Sequence, residues 1–562
     1  MNSSDLHDAV VTLGTELRRA AFPLESPGAD AARRAQAELA GQIDDYLLPR
    51  LRELDAPLLA VFGGSTGAGK STLVNSLIGR TVSATSVLRP TTTTPILVCH
   101  PQDLRWFETD RILPGMARTT GKLEPGSTAL HLVADADVPL GVAFLDAPDI
   151  DSVVQTNREM AGQLLAAADL WLFVTTASRY ADAVPWGYLR QARERSTALA
   201  LVLNRVPAEA LEEVPGHLAE MLRREGLQET PVLTVPETPL EDGRIPAAAL
   251  APVRGWLDAL AADAEAKSQT VLKTLNGALD SLAPRVDGVA RQMEAQMAAA
   301  HELAADARRI YSLGVSEADE VLSSGALLRS EVLARWHEFI GTGDVMKGLQ
   351  NTIGRIGDRL RNVLTGKPPV AAEVQTEVER SIETVVISVA DRAAERTVSA
   401  WRASPQGEAL LNAGAVPDRS SGQLRSALEA EIRAWQGTVL DLVKEQGPSR
   451  RAAGRAVSFG VNAVGAALML AVFAHSGGLT GGEVVIAGGT AAVSQRLLEA
   501  IFGEEAVRTL AARAKGDLLK RLTRLLDSEA DRFARAAVRE VPTAQQVGEL
   551  RSALEAVGSL RP

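Results

Sequence analysis

The chain has 562 residues, more than one hydrophobic core usually supports, so we expect about two to four structural units. Its formal net charge of -11 argues against a broad nucleic-acid surface, because phosphate contacts need a basic face. Hydrophobic residues make up 46% and aromatic residues only 4%, with Ala, Leu, Val and Arg abundant. This composition is typical of long packed helices. We therefore expect a multidomain, largely helical chain with no nucleic-acid partner.

The amino-terminal stretch MNSSDLHDAVVTLG lacks a basic segment followed by an apolar one, so nothing in it predicts secretion. A single cysteine, Cys99, lies in the apolar run ILVC and cannot form an internal disulfide or a zinc cluster. We expect a buried thiol and a protein that faces the cytoplasm.

Residues 1–56 predict two helices around the breaker FPLESPG, and we expect these helices to pack on a later helical stalk. From residue 57 to residue 260, short apolar runs alternate with amphipathic helices. This alternation predicts an α/β domain whose mostly parallel sheet carries helices on both faces. The apolar runs are PLLAVF, PILVCH, GVAFLD, DLWLFVTT, ALALVLN and PVLTV.

The rest of the chain predicts a long all-α domain without strands. Residues 261–455 form the expected stalk, and Leu272 to Met293 step by threes and fours like a coiled coil. Pro284 is expected to kink or break that helix. Residues 456–497 predict an apolar helical hairpin, and residues 498–562 the helices that return from it.

The sequence GGSTGAGKSTLVNSLIG follows the run PLLAVF and opens a helix, so the GxxxxGK[ST] pattern has the context of a phosphate-binding loop. Glycines let backbone N–H groups turn toward phosphate oxygens, and the helix adds the positive end of its dipole. Lys70 is expected to bridge the β- and γ-phosphates, and the Ser71 hydroxyl to ligate magnesium. The predicted nucleotide-binding residues are Gly64, Ser65, Thr66, Gly67, Ala68, Gly69, Lys70, Ser71 and Thr72.

Two further residues complete the predicted metal site. Asp146 ends the apolar strand GVAFLD, where a magnesium-linked carboxylate belongs in this architecture. The polar loop LRPTTTTPI lies between the phosphate-binding loop and Asp146 in the chain. Within it, Thr92 is the candidate to contact Mg²⁺ and the γ-phosphate when this loop orders. Thr91 and Thr93 are neighbours in uncertain register, and a solvated β-edge is the alternative for the threonine run.

Arg179 follows the strand DLWLFV, at the carboxyl edge of the sheet where ligands bind. It is a candidate arginine finger that would stabilise the transition state, either within one chain or across a dimer. An ordinary surface arginine is the alternative.

Together these residues resemble the translation-factor class of GTPases, and more narrowly the bacterial dynamin-like proteins. The resemblance covers about 200 residues (Gly64 to Ser71, Pro90 to Thr92, Asp146 to Asp149, and Asn204), beyond which only the helical layout matches. It implies GTP as substrate, Mg²⁺ as cofactor, and base reading by Asn204 and Arg205. It also implies pairing with a second copy or a related GTPase.

The chain departs from that family pattern at three places. Asp149 stands where a glycine usually donates its N–H to the γ-phosphate, and a carboxylate there disfavours triphosphate binding unless it points away. Pro207 replaces the aspartate that accepts hydrogen bonds from guanine, so guanine preference is implied by the resemblance alone, and an ATPase remains an alternative. Thr66 and Gly67 replace two residues that dynamins use in catalysis, so slow hydrolysis is expected.

The apolar segment 456–497 leaves two interpretations open. Its first 27 residues carry no formal charge, and the limb 456–474 would span about 28 Å as a helix, near the thickness of a bilayer core. Cations flank only its open end, which suits a hairpin that enters the membrane from the cytoplasmic side. Small residues equally suit a helical pair buried in the bundle. The flanking cations are Arg450, Arg451, Arg455 and Arg496.

We therefore expect a membrane-associated dynamin-like GTPase that couples Mg²⁺-dependent GTP hydrolysis to membrane remodelling or assembly. It would be peripheral or hairpin-anchored at the cytoplasmic face of the cell membrane. The alternative is a regulatory nucleotide switch, on GTP or ATP, that recruits protein partners through its helical domain.

Overall fold

The computed structural model divides the chain into two compact units. The first consists of Met1–Phe22, Pro27–Glu294 and Pro542–Pro562, and the second of Pro23–Ser26 and Ala295–Val541. The structure describes residues 3–83, 94–121, 127–152, 155–195, 197–323, 368–414, 416, 418–445, 461–474, 498–499 and 502–560.

The first unit contains an eight-stranded sheet in the order β3-β4-β2-β5-β1-β6-β7-β8. Its neighbouring strands run parallel, apart from the antiparallel pair β2 and β5. The strands are β1 (Leu58–Gly64), β2 (Ile96–Cys99), β3 (Arg118–Thr119), β4 (Leu130–Ala134), β5 (Val142–Asp146), β6 (Leu170–Thr176), β7 (Ala198–Val206) and β8 (Val232–Pro236).

The central strands of this sheet are buried on both faces, which explains why their sequences are continuous apolar runs. All seven residues of β1 are buried, as are all seven of β6. One apolar cluster covers each face of the sheet. The predicted mostly parallel sheet is confirmed, and each of the six predicted apolar runs forms a strand. The two short strands β3 and β4 were not predicted.

Helices surround the sheet in the first unit. They are α1 (Ser3–Arg19), α2 (Ala29–Gln42), α3 (Leu48–Arg52), α4 (Lys70–Ile78), α5 (Gln155–Ala166), α6 (Ala183–Glu194), α7 (Glu213–Arg224), α8 (Ala247–Ala262), the first part of α9 (Ala264–Ser323) and α15 (Ala544–Ser559). A π-helical turn at Ile43–Leu47 joins α2 to α3.

A buried ion pair ties the amino-terminal helices to the sheet. Arg50 of α3 pairs with Asp169, at the start of β6, and the same carboxylate accepts a hydrogen bond from the backbone N–H of Leu59 at 2.8 Å. Thr274 of α9 donates to the backbone oxygen of Asp169 at 2.9 Å. Burial raises the pKa of Asp169, and the Arg50 guanidinium opposes that shift. These contacts fix the edge of the sheet opposite the phosphate loop.

The long helix α9 runs through Pro284 without ending there, so the expected break is absent. Leu282 and Val286, two residues before and after the proline, are both buried. Glu38 and Gln42 of α2 contact Arg285 on the next residue of α9, at 3.1 Å and 2.7 Å. Packing on both sides of the proline therefore holds the helix, although one backbone hydrogen bond is lost.

Every secondary-structure element that the structure describes in the second unit is a helix. Its elements are the remainder of α9, α10 (Pro368–Arg402), α11 (Pro405–Asn412), α12 (Leu424–Glu445), α13 (Val461–Ala474) and α14 (Glu504–Val538). Trp435 of α12 donates to the backbone oxygen of Ala514 in α14 at 2.8 Å, and Trp401 of α10 donates to that of Leu303 in α9 at 3.2 Å.

Helix α13 belongs to the first limb of the apolar segment, and it lies inside the bundle. Residues 464 and 466–473 are all buried in one cluster with side chains of α10, α12 and α14. The ring of Phe473 lies 6.1 Å from that of Trp435. For these residues the structure therefore shows the buried interpretation. Residues 475–497 lie outside the described residues, and no described helix is both long and apolar enough to cross a membrane.

Candidate functional site

The loop between β1 and α4 makes two close backbone approaches that exclude a side chain. Gly64 has φ 150° and Gly69 has φ 92°, both in the region that favours glycine. A Cβ atom at Gly64 would lie 2.1 Å from the backbone oxygen of Val174, and one at Gly69 would lie 2.5 Å from Nδ2 of Asn204. The loop is therefore held against β6 and β7, and its backbone leads directly into the amino end of α4.

Lys70 is the first residue of α4, and its ammonium group is turned back toward the loop. Nζ donates to the backbone oxygen of Gly64 at 2.9 Å and to that of Ser65 at 3.4 Å, and it forms an ion pair with Asp149. Lys70 is only 4% exposed and Asp149 only 7% exposed. The lysine predicted to hold phosphate thus has an anionic partner within the chain.

Ser71 and Asp146 meet beside this lysine. The Ser71 hydroxyl donates to Oδ2 of Asp146 at 2.7 Å, and the Ser83 hydroxyl donates to the same oxygen at 2.7 Å. The other carboxylate oxygen, Oδ1, is buried and has no hydrogen-bond partner among the described residues. Burial raises the pKa of Asp146, and the Ser71 hydrogen bond and the Lys70 charge only partly oppose this.

These groups fit a magnesium ion. Mg²⁺ takes oxygen ligands and usually binds through one or two protein groups, with phosphate and water oxygens completing its shell. A carboxylate oxygen buried without a partner and a neighbouring hydroxyl, on Asp146 and Ser71, supply that chemistry. Thr92, the third predicted ligand, lies outside the described residues.

Ser83 was not among the predicted site residues, and Asn75 of α4 explains its position. The Asn75 side chain accepts from the backbone N–H groups of Val82 and Ser83, each at 2.9 Å, and donates to the backbone oxygen of Ser83 at 2.8 Å. Asn75 is buried, so its amide needs hydrogen-bond partners, and the backbone of Val82 and Ser83 supplies them.

Arg179 links the phosphate loop to the segment that follows β5. Its guanidinium donates to the backbone oxygen of Thr66 at 2.8 Å, to Asp151 at 3.0 Å and to Asp182 at 2.8 Å. Asp151 also accepts from the backbone N–H and hydroxyl of Thr66, at 2.6 and 2.8 Å. Burial alone would raise the pKa of Asp151, but these hydrogen bonds lower it overall. The structure places Arg179 against the loop at Thr66, and its role as an arginine finger stays a prediction.

The predicted base-reading residues also contact the loop. Asn204 donates to the backbone oxygen of Ala68 at 2.9 Å, and its own oxygen accepts from the backbone N–H of Arg205 at 3.0 Å. Arg205 has φ 53°, and one of its guanidinium nitrogens lies 3.4 Å from where a Gly69 Cβ would be. Arg205 and Pro207 line a cavity of about 810 Å³ together with Thr66 and Gly67. Thr72, the last predicted loop residue, is half-buried on α4.

Part of the chain is similar in sequence to a known GTPase. Over 183 residues the chain is 25% identical to a protein named "Probable transmembrane GTPase FZO-like, chloroplastic" from Arabidopsis thaliana. The aligned part covers 32% of this chain and 19% of that relative, so the chain spans about a fifth of the relative's length. The chain has the P-loop GTPase fold and resembles dynamin-like GTPases. No protein-family model matches the chain.

Solved structures that match the chain include two bacterial dynamins and Era. One, an oligomerised bacterial dynamin pair with a mechanism for long-range sensing and tethering of membranes, is 10% identical and has a TM-score of 0.36; the match covers 94% of this chain and 95% of that one. LeoA, a bacterial dynamin GTPase from ETEC, is 13% identical and has a TM-score of 0.23; the match covers 96% of this chain and 99% of LeoA. Era, bound to MgGDPNP and 16S ribosomal RNA nucleotides, is 19% identical and has a TM-score of 0.24; the match covers 36% of this chain and 56% of Era. Structural matches with TM-scores this low say nothing about the function of this chain.

Proposed function

We propose that the chain binds GTP with Mg²⁺ at the amino end of α4 and hydrolyses it. The observation that carries this proposal is the convergence of Lys70, Ser71 and Asp146, with one oxygen of Asp146 buried and unpartnered among the described residues. Lys70 holds the β- and γ-phosphates in this account. Ser71 and Asp146 hold Mg²⁺, which neutralises charge on the phosphates when it is bound.

The site also supports a slow or regulated reaction. Asp149 pairs with Lys70, so this carboxylate must leave before a γ-phosphate reaches the ammonium group. Arg179 holds Thr66 and Asp151 together, so Arg179 is a positioning residue in this account unless it turns toward the phosphates. Thr92 is proposed as a further contact of Mg²⁺ and the γ-phosphate.

Phosphate release from GTP tests the enzymatic part of the proposal. We expect slow, Mg²⁺-dependent release by the unmodified chain and no release above background by Lys70→Ala. A matched control is Lys267→Ala, because this lysine lies on α9 and its ammonium group donates to the backbone oxygen of Leu140 at 3.5 Å. Equal rates for Lys70→Ala and the unmodified chain would contradict a reaction at this loop.

Membrane association and pairing with a second copy or a related GTPase form the second part of the proposal. They are supported by the resemblance to dynamin-like GTPases and by the uncharged run that follows Arg455. Because α13 is buried in the bundle, lipid contact through this limb would require α13 to leave its neighbours. The later apolar run, VVIAGGTAAVSQ, is therefore the better candidate for the first contact with a bilayer.

Liposome flotation tests the membrane proposal directly. We expect the unmodified chain to float with anionic liposomes and the double variant Val485→Asp, Ile486→Asp to remain in the dense fraction, because charges are costly in hydrocarbon. Leu240→Asp is the matched control, because Leu240 is 54% exposed and lies in the first unit. Absence of flotation by the unmodified chain, with and without GTP, would instead favour a regulatory switch that recruits proteins.

A further inference from the structure

The cavity beside the phosphate loop has two carboxylates in its wall, Asp151 and Glu237. The two carboxylates differ in their hydrogen-bond partners. Asp151 accepts hydrogen bonds from Thr66 and from Arg179. Glu237 is exposed, and its carboxylate has no hydrogen bond or ion pair in the part of the chain that the structure describes. Glu237 is thus the cavity's available anionic acceptor among these residues.

Backbone pairing places Glu237 next to the end of β7, which carries Arg205, and next to Pro207, which follows the strand. Glu237 directly follows β8, and its N–H donates to the backbone oxygen of Val206 at 2.9 Å. Val206 and Pro236 are partners in the sheet. Pro207, the residue after Val206, has no side-chain acceptor, so a carboxylate at this edge of the cavity comes from the neighbouring strand end instead.

Guanine can donate hydrogen bonds to such a carboxylate, and adenine cannot do so at the same position. Guanine presents two neighbouring donors, N1–H and the 2-amino group, and a carboxylate accepts such a pair through its two oxygens. Adenine has an unprotonated N1 and no 2-amino group, so a carboxylate placed there would face a lone pair. A carboxylate that a bound base covers, and that finds no donor on that base, disfavours the wrong base.

We infer that Glu237 reads the guanine edge and supplies the base specificity that Pro207 cannot. This inference rests on the proposed GTP site. In it, the phosphates lie at Lys70, the base extends along Arg205, and the Glu237 carboxylate accepts from N1–H and the 2-amino group.

Calorimetric titration with GTP, ATP and XTP tests the inference on the full chain. Glu237→Gln should weaken GTP binding by roughly ten- to a hundredfold, because one charged acceptor is lost. ATP binding should stay as weak as before. XTP binding should improve relative to GTP, since xanthine has a carbonyl oxygen where guanine has its 2-amino group and an amide can donate to it. The matched control is Glu241→Gln, four residues later, exposed and outside the cavity wall.

The outcomes separate this inference from the proposed function. If Glu237→Gln and Glu241→Gln bind GTP equally well, the inference is overturned while the GTP site stands. If the unmodified chain binds ATP as tightly as GTP, the inference is again overturned. If it binds neither nucleotide, the proposed function fails and the inference fails with it. Glu237 is exposed, so both variants should unfold at the same temperature as the unmodified chain, which excludes a folding defect.

Discussion

Lys70 and Asp149 form a buried ion pair at the point where a γ-phosphate is proposed to bind. Two opposite charges removed from water stabilise a fold only modestly, but removal of one partner leaves the other uncompensated. The pair therefore stabilises the ligand-free loop and competes with the ligand. An anionic phosphate group is the natural replacement for the carboxylate, because it offers Lys70 the same charge and more acceptor oxygens.

Replacement of Asp149 by glycine tests this competition. We expect Asp149→Gly to lower the stability of the ligand-free protein by roughly 3–5 kcal/mol, because Lys70 loses its buried partner. The ratio of GTP affinity to GDP affinity should rise about tenfold, because the γ-phosphate no longer competes with a carboxylate. Urea unfolding and nucleotide titration measure the two effects.

The exposed Asp137 provides the control for that experiment, since Asp137→Gly changes the same residue type away from Lys70. An unchanged ratio of GTP to GDP affinity in Asp149→Gly would show that Asp149 does not occupy the phosphate position.

Residue patterns predicted the glycine-rich loop after β1 and the helix that follows it, but missed part of its surroundings. The Gly64 to Ser71 motif is local in sequence, and its loop and helix follow from glycine conformation and strand context. Ser83 reaches Asp146 only because Asn75 folds the chain back after α4. Such a contact depends on tertiary structure, so sequence spacing alone does not reveal it.

At the scale of elements, the sheet was predictable because its central strands are buried on both faces. Strands β3 and β4 were missed because β3 has only two residues and β4 ends half-exposed, so neither gives a long apolar run. The apolar limb that contains α13 could not be placed from sequence, since a helix that is apolar all round suits either lipid or a bundle core. In the structure, residues 464 and 466–473 pack against α12 and α14 in the core of the bundle.

Truncation of a side chain in α13 tests whether this helix is structural. Phe473 is 2% exposed and packs against Trp435, so Phe473→Ala should destabilise the helical unit by about 3–5 kcal/mol. Leu313→Ala in the same unit should change stability by less than about 0.5 kcal/mol, because Leu313 is 57% exposed. Urea unfolding followed by circular dichroism measures both variants. Equal unfolding midpoints would contradict burial of α13 in solution.

At the scale of the whole molecule, helix α9 belongs to both units: its residues to Glu294 lie in the first unit, which contains the sheet, and the later ones in the helical second unit. We propose nucleotide chemistry for the first unit, and we propose membrane contact and pairing from sequence and resemblance. The central proposal is that the loop from Gly64 to Ser71 binds GTP with Mg²⁺ through Lys70.

Competitive titration of GTP against ATP is the most direct test of that claim. With Mg²⁺ present, we expect GTP to bind and ATP to displace it poorly. Lys70→Ala should weaken GTP binding by roughly ten- to a hundredfold, the loss of a charge-assisted phosphate contact. GTP affinity that is the same in Lys70→Ala as in the unmodified chain, or a site that prefers ATP, would contradict it.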